Sequence, residues 1–405
     1  MKLKILLVLI LLIGGYSTAK ADENSYKQTP AYSIDDKEFI YEGDKYPVRR
    51  KMLNREGVQY DVAFLVAAFE RAYSGREHLP PGVYEKLIKD VQALGEKTPL
   101  GTTDIDGNIF CKRLADIFWE VPDNHLFIYG SCNDKIKKPI ASDVGKNIYT
   151  GRGYYFKVRM IGGKQIGILS LGTFMPDKDD LSWRGFEEKI ANISKETDAL
   201  VLDLRGNHGG ISENIRWLAD HLYGNPAKMV DEIIELRESA PFFALHHNEP
   251  AFRIIEAVED RLPVQPYLVK EKKNALKKFK AFYKKPSKQL RLVRKGSNAG
   301  FNPKAGYDKP IRILIDNACA SACENGCARF LSHPQVKTYG TNTKGESHYG
   351  DNKPLILPNS NIVVSIGTSF REFADGRFIE KIGYAPDIRV PDGHDALEAA
   401  LKDLR

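Results

Sequence analysis

Long apolar segments are scarce in this chain of 405 residues. The most apolar stretch, Ile5–Ile13, is too short to cross a bilayer comfortably. It follows Lys2 and Lys4 and precedes Ala19-Lys20-Ala21, which is the pattern of a cleavable export signal. No cysteine lies near this stretch, which argues against a lipid anchor there. We therefore predict a signal peptide at residues 1–21 and a periplasmic or secreted location.

Cysteine is also sparse, with five residues in the whole chain. An exported protein can form disulfides, and Cys111 and Cys132 are close enough in sequence to be partners. Cys319, Cys323 and Cys327 recur every four residues, along one face of a helix. This spacing is more typical of small-residue packing than of a zinc site, because no histidine cluster accompanies it. We predict no metal and no other cofactor.

Positive charge is confined to one part of the chain. The formal net charge is +7, yet residues 270–295 alone carry twelve Lys or Arg and one acid, Glu271. Because the basicity is local, we predict no nucleic-acid partner. The segment also has apolar side chains at helical spacing. It therefore fits a solvated helix whose apolar side covers an active-site cleft. It also fits a helix that contacts an anionic membrane surface or an acidic substrate.

The order of predicted elements indicates two regions and one insertion, without an internal repeat. Residues 22–135 read as a polar leader followed by amphipathic helices, which predicts a small helical N-terminal domain. In residues 150–405, apolar strands alternate with helices, which predicts an α/β core. A charged segment at residues 225–306 interrupts this core, and we expect it to be helical.

One strand-to-helix junction stands out within the core. Ile311–Asp316 has the composition of a buried strand, and the helical composition of Ala322–Phe330 follows it. Ser321 lies between them, beside the unpaired N–H groups and the positive dipole end of a helix. Such donors can stabilise the charge that develops when a hydroxyl attacks a carbonyl. For an isolated serine, a helix N-cap is the more common role.

A second turn carries several glycines. Asp203-Leu204-Arg205-Gly206-Asn207-His208-Gly209-Gly210 directly follows the apolar strand Ala199–Leu204. Glycine permits positive φ and a close approach of backbone N–H groups to a ligand. A helix follows, so the turn fits an oxyanion or carboxylate site as well as an ordinary strand-to-helix connection.

Four ordered segments resemble the C-terminal processing (tail-specific) serine proteases and their relatives, the tricorn protease core and the interphotoreceptor retinoid-binding proteins. These segments are Leu200–Gly210, Ala318–Glu324, Tyr339–Glu346 and Phe378–Ile388. The resemblance implies a ClpP/crotonase-like core of ββα units and hydrolysis of peptide or protein substrates. The PDZ module of the processing proteases is not expected, because few residues separate His125 from the Tyr154 strand.

The resemblance also implies roles for particular residues. Ser321 would be the nucleophile, and the backbone N–H groups of Ala322 and of Gly209 or Gly210 would form the oxyanion hole. His208 lies in the same turn and is expected to line the site.

The general base is the least determined of these roles. The processing proteases place a lysine in a G-x-x-T-x-G-K pattern, but here Glu346 occupies that position and Lys344 comes two residues early. The tricorn-like branch uses a histidine instead, and Asp123-Asn124-His125 resembles its D-x-H turn. We predict His125 as the base, with His348 and Lys344 as alternatives.

Two further residues take roles from position. Glu380 matches the glutamate that orients the histidine in the tricorn-like branch, and Asn124 occupies the place of a serine that helps to orient this acid. Glu324, three residues after Ser321, is expected to complement the helix dipole.

Two functions follow from these residues. The first is an exported serine peptidase that forms an acyl-enzyme on Ser321. The alternative is a catalytically weak or inactive protein that binds peptides or apolar ligands on the same fold, as retinoid-binding relatives do. The missing lysine favours the alternative, whereas the presence of both Ser321 and His125 favours the enzyme.

Overall fold

The structure is a computed structural model. It describes residues 32–96, 105–130, 132, 154–174, 183–223, 232–285, 291–296, 307–331, 335–373, 376–391 and 393–405. The predicted signal peptide lies outside these residues, as do the first part of the leader and parts of the predicted insertion. Within the described ranges, no helix combines the length and apolar character needed to cross a membrane.

The described helices fall at both ends of the chain and between the strands. They are α1 (Arg55–Arg71), α2 (Gly75–His78), α3 (Val83–Glu96), α4 (Gly107–Trp119), α5 (Phe186–Glu196), α6 (Ser212–Tyr223), α7 (Ala240–Glu259), α8 (Pro266–Tyr283), α9 (Ala322–Phe330) and α10 (Ala396–Asp403). Helix α5 begins after Gly185, which is in a left-handed conformation with φ of 77°.

The described strands form two large sheets and one short pair. They are β1 (Met52–Leu53), β2 (Ile105–Asp106), β3 (Phe127–Ile128), β4 (Tyr154–Ile161), β5 (Lys164–Leu171), β6 (Ala199–Asp203), β7 (Glu232–Glu238), β8 (Arg291–Gly296), β9 (Ile311–Ile315), β10 (Val336–Gly340), β11 (Tyr349–Ile356), β12 (Val363–Phe373) and β13 (Ile388–Arg389). Strands β1 and β2 pair with each other.

The first sheet has the order β13-β10-β9-β6-β5-β4. Its strands are parallel except for β4, which pairs with β5 as an antiparallel hairpin. Every residue of β6 and β9 is buried, as expected for apolar strands covered on both faces. Because β6 and β9 are parallel neighbours, the loops after them leave the same edge of the sheet. Both sequence-predicted turns therefore meet there.

The second sheet is antiparallel and joins distant parts of the chain. Its order is β11-β12-β7-β8, and β3 also pairs with β12. The prediction of a helical insertion was wrong in part, because β7 and β8 lie within it. The charged residues of β7 made it look like an exposed segment in the sequence. In the structure, Glu235 and Arg237 are buried because they have ionic partners on α2.

The predicted N-terminal helices do not form a separate core. They pack against this second sheet. One hydrophobic core contains residues of α1, α3 and α4 together with residues of α7, α8, β11 and β12. Phe64, Leu65 and Phe69 of α1 are fully buried there. This packing holds the turn after α4, which carries His125, against the α/β core.

Candidate active site

The turn between β9 and α9 is built around the buried carboxylate of Asp316. This carboxylate accepts hydrogen bonds from the N–H groups of Ala318 and Cys319 in its own turn, at 3.0 and 3.2 Å. It also accepts the N–H of Gly206 from the neighbouring turn at 3.0 Å. Ser321 has φ of 55° and ψ of −115°, which is rare for a residue with a side chain. Strain of this kind is held in place by the surrounding structure and clusters at functional sites.

The glycine turn packs directly against the Ser321 turn. A Cβ atom on Gly209, whose φ is 91°, would lie 2.6 Å from the carbonyl oxygen of Ala320 and 3.1 Å from Cβ of Ser321. No side chain fits between the two turns. The N–H of Gly209 already donates to Oδ1 of Asn207 at 2.8 Å.

This hydrogen bond distinguishes the two glycines that were predicted for the oxyanion hole, because it occupies the N–H group of Gly209. The N–H groups of Gly210 and Ala322 donate to no acceptor among the described residues. Ala322 is the first residue of α9, where the dipole favours negative charge. The geometry therefore favours Ala322 and Gly210 over Gly209 as donors to an oxyanion.

Glu324 has a larger part than the sequence indicates. Its side chain is fully buried and accepts four hydrogen bonds. The donors are the N–H of Ser321 at 3.2 Å, the hydroxyl of Thr343 at 2.6 Å, and the N–H groups of Gly345 and Glu346, each at 2.6 Å. Burial raises the pKa of this carboxyl, while its hydrogen bonds oppose the rise. Glu324 thus joins the Ser321 turn to residues 343–346, the segment in which the processing proteases carry their lysine.

We expect Glu324→Gln to lower kcat by roughly 10- to 100-fold with little change in KM. Glutamine supplies one acceptor oxygen in place of two, and it turns an NH₂ group toward backbone N–H groups, which leaves buried donors unpaired. Steady-state kinetics on a peptide substrate would measure the two constants separately. Glu398→Gln, which makes the same change at an exposed glutamate of α10, is the matched control. A variant that melts earlier yet keeps its kcat when folded would assign Glu324 a structural role only.

His125 lies in the turn between α4 and β3 and is 4% exposed. Its backbone N–H donates to Oδ1 of Asp123 at 2.7 Å, which fixes the turn. Its Nε2 lies 3.8 Å from Oε1 of Glu346, and its Nδ1 has no hydrogen-bond partner among the described residues. Burial lowers the pKa of His125 to about 4, and the Glu346 carboxylate opposes this shift. The imidazole is therefore neutral at physiological pH, as a general base must be.

Glu380 comes close to His125, as the resemblance implies. One ring nitrogen of His125 and one carboxylate oxygen each of Asp123 and Glu380 all lie within 4.8 Å of one another. Oε1 of Glu380 accepts the backbone N–H of Asn124 at 2.9 Å, and Oε2 accepts the N–H groups of Ser347 and His348 at 3.1 and 3.0 Å. Asn124 thus contacts Glu380 through its backbone, while its side-chain amide donates to Gly345 O at 2.8 Å.

The two buried carboxyl groups near His125, those of Asp123 and Glu380, both have raised pKa values. Burial raises the pKa of Asp123 and that of Glu380, and the Asp123 carboxylate raises the pKa of Glu380 further. The hydroxyl of Tyr73 donates to Oδ2 of Asp123 at 2.7 Å. Asp123 is the residue of this group for which the sequence predicted no role.

Ser321 and His125 are linked through two glutamates and not by a direct hydrogen bond. Glu324 accepts the N–H of Ser321 and the N–H of Glu346, and the Glu346 carboxylate faces His125. Neither ring nitrogen of His125 accepts a bond from the Ser321 hydroxyl here. Catalytic hydrogen bonds commonly tighten only when substrate is bound.

The alternative bases are less well placed for proton transfer. His348 is buried, with Nδ1 2.8 Å from the carbonyl oxygen of Arg371 and Nε2 3.0 Å from the backbone nitrogen of Ile379, whose N–H donates to it. Both nitrogens are thus occupied by backbone. Lys344 is exposed and forms an ion pair with Glu346 at 2.5 Å. His208, which was expected to line the site, is exposed on the glycine turn.

Disulfides account for four of the five cysteines. Cys111 pairs with Cys132, as the sequence suggested, and this bond joins α4 to the segment after β3. Cys319 pairs with Cys323 and so brackets the Ser321 turn. Cys327 is a buried free thiol whose pKa is raised by burial. Its two neighbours are bonded to each other, so these three sulfurs do not offer three thiolates to a zinc ion.

A cavity of about 630 Å³ opens beside the His125 turn. Its lining combines apolar side chains of α4 and the following strand with polar groups of the site, and it includes Phe118, Phe127, Asp123, Asn124 and Glu346. The cavity thus lies beside His125, although neither His125 nor Ser321 lines it.

The comparison with known proteins decides the family. The model of peptidase family S41 matches residues 165–390, which is more than half of the chain. The chain belongs to peptidase family S41. The S41 match contains Ser321 and Glu380, whereas His125 lies upstream of it.

Relatives of this S41 chain agree with the fold. It is 25% identical to a protein of Chlamydia pneumoniae over 318 residues, which cover 69% of this chain and 50% of that protein. The chain thus spans about half the length of this curated relative. Its structure is similar to mature CPAF in complex with lactacystin, with a TM-score of 0.52, 15% identity, and coverage of 86% of this chain and 97% of that chain. A proposed peptidase from Parabacteroides merdae gives a TM-score of 0.52 and 16% identity, with coverage of 86% and 96%. These similarities confirm the predicted α/β fold.

Proposed function

We propose that this S41 chain is a serine peptidase that hydrolyses peptide bonds through an acyl-enzyme on Ser321. The observation that carries the proposal is the strained Ser321 turn, which packs against the glycine turn and leaves the N–H groups of Ala322 and Gly210 without a described acceptor. Two such donors beside one hydroxyl are what an acyl transfer needs.

The proposed reaction follows from these positions. The Ser321 hydroxyl attacks the substrate carbonyl while His125 takes its proton, and the N–H groups of Ala322 and Gly210 stabilise the oxyanion. The C–N bond breaks as His125 returns the proton to the leaving amine. Water then attacks the acyl ester by the same route and regenerates Ser321. Glu380 orients the imidazole and stabilises its charged form.

We also propose that the protein is exported. The predicted signal peptide motivates this, and two disulfides support it, because such bonds persist in oxidising compartments. Peptides or proteins are the proposed substrates, since the family consists of peptidases.

The alternative of an inactive ligand-binding protein is favoured by one observation. Glu346 lies 3.8 Å from Nε2 of His125 and holds Lys344 in an ion pair, so a carboxylate occupies the side of the imidazole that a nucleophile would need. On the enzyme proposal, substrate binding moves this carboxylate aside.

A fluorophosphonate probe distinguishes these two functions. We expect the folded protein to form one covalent adduct, which peptide mass spectrometry maps to Ser321, and heat-denatured protein to form none. A catalytic serine reacts because its base and oxyanion donors are in place, whereas an ordinary hydroxyl does not. An adduct on another serine would remove Ser321 from the mechanism. No adduct at any pH between about 5 and 9 would favour the binding protein.

A further inference from the structure

Helix α8 has two chemically distinct faces. Its apolar face is inside the protein, where Leu268, Ala275 and Phe279 are buried and Leu276 and Phe282 pack against the core. This packing fixes the rotation of the helix about its axis. The opposite face is therefore held toward solvent.

That solvent face carries a row of lysines, which we call the lysine stripe. It consists of Lys270, Lys273, Lys277, Lys280 and Lys284, and all five side chains are exposed. Their spacing of three, four, three and four residues follows one side of a helix. At 1.5 Å per residue, the row is about 21 Å long.

The stripe has no counter-charge on its own face. None of its ammonium groups forms an ion pair with a described residue, and the one acid of the helix, Glu271, lies on a different side. Like charges three and four residues apart destabilise a helix. The packed apolar face compensates for this repulsion, and a bound anionic surface would remove it.

Exposed apolar side chains lie at the N-terminal end of the stripe. Tyr267 is 39%, Val269 52% and Leu262 59% exposed. Tyrosine and aliphatic side chains gain by entering the interfacial layer of a bilayer. A nucleic-acid backbone offers such aliphatic groups no comparable environment. These neighbours therefore favour a lipid surface over a linear polyanion.

We propose that the lysine stripe binds the surface of a bilayer that contains anionic phospholipids. The ammonium groups donate hydrogen bonds to headgroup phosphates, and Tyr267, Val269 and Leu262 enter the interface beside them. Residues 270–295 hold a surplus of positive charge larger than that of the whole chain, so the remainder of the protein is net acidic. The membrane would therefore select this side of the molecule and orient it.

Vesicle co-sedimentation tests the proposal with the full chain. We expect binding to phosphatidylcholine vesicles that contain phosphatidylglycerol, little binding to pure phosphatidylcholine vesicles, and release by about 0.5 M salt, because screening weakens electrostatic binding. The variant K273Q/K277Q/K280Q should lower the partition coefficient by roughly 10- to 100-fold. The matched control K89Q/K195Q/K402Q removes the same charge from three exposed lysines elsewhere and should change it by less than about twofold.

The outcomes also separate this surface from the active site. The fluorophosphonate adduct should be unchanged in both triple variants, since neither set of lysines belongs to the site, and neither variant should unfold at a lower temperature than wild type. Equal losses in the two variants, or equal binding to neutral vesicles, would overturn the proposal. Tighter stripe-dependent binding to heparin or DNA than to anionic vesicles would show that the stripe serves a linear polyanion instead.

Discussion

Replacing Ser321 by alanine is expected to abolish peptide hydrolysis, with a loss in kcat of at least about 10⁴-fold. The substitution removes the only atom that forms the proposed acyl-enzyme. The oxyanion donors of Ala322 and Gly210 stay in place, so the residual rate is what binding and electrostatics alone can supply. Steady-state cleavage of a fluorogenic peptide would measure the loss.

A nearby serine provides the control for this result. Ser212 begins α6, and its hydroxyl accepts a hydrogen bond from Asn325 of α9 at 3.2 Å. Ser212→Ala therefore disturbs the same pair of helices without touching the proposed chemistry, and its activity should remain within a few-fold of wild type. A Ser321→Ala protein that keeps more than about a tenth of the activity would exclude the acyl-enzyme on Ser321.

Replacing His125 by glutamine is expected to reduce kcat/KM by roughly 10²- to 10⁴-fold, which is the usual contribution of a general base. Glutamine nearly fills the buried site, so the loss reports proton transfer more than cavity formation. The comparison variant is His348→Gln. Because backbone groups occupy both nitrogens of His348, its loss should appear mainly as a lower unfolding temperature. A larger fall in kcat/KM from His348→Gln would transfer the role of base to His348.

The pH dependence tests the same assignment. Burial holds the pKa of His125 at about 4. The base works when neutral, so the His125-dependent part of kcat/KM should rise with pH through about 4 and be level near neutrality. The free energy of unfolding should also rise with pH because of His125. The pKa lies below its ordinary value of 6.5, so the contribution of neutral His125 is present above that value and is lost as pH falls through the folded pKa. The His125→Gln variant should lack both effects.

The sequence predicted those parts of the site that depend on local pattern. The strand Ile311–Ile315 and the helix Ala322–Phe330 follow from apolar runs and helix-forming residues, and the structure has both within one residue of the prediction. The packing of the glycine turn on the Ser321 turn follows from parallel strands that end at one edge. The strand and the helix depend on short-range rules that a single sequence contains, whereas the contact between the two turns depends on the pairing of β6 with β9 and was implied by the family resemblance alone.

Long-range packing decided the features that could not be predicted. Nothing near Glu324 in sequence indicates that its carboxylate binds a segment 20 residues away, since three of its four donors belong to residues 343–346. In the sequence, Glu346 was noted only because it occupies the position of the family's lysine. In the structure, its carboxylate faces His125. The strand β7 was hidden because its charged residues find buried partners, which periodicity cannot anticipate.

The separation of the active-site groups along the chain has a consequence for the newly made protein. Ser321, His125 and Glu380 come from three distant segments, and β3, which follows His125, is held by pairing with β12. On the proposed mechanism, an unfolded chain has no assembled base, because Glu380 and the His125 turn come together only in the folded protein. Such a chain cannot cleave its surroundings until these segments have folded together. Completion of folding would then serve as an activation step.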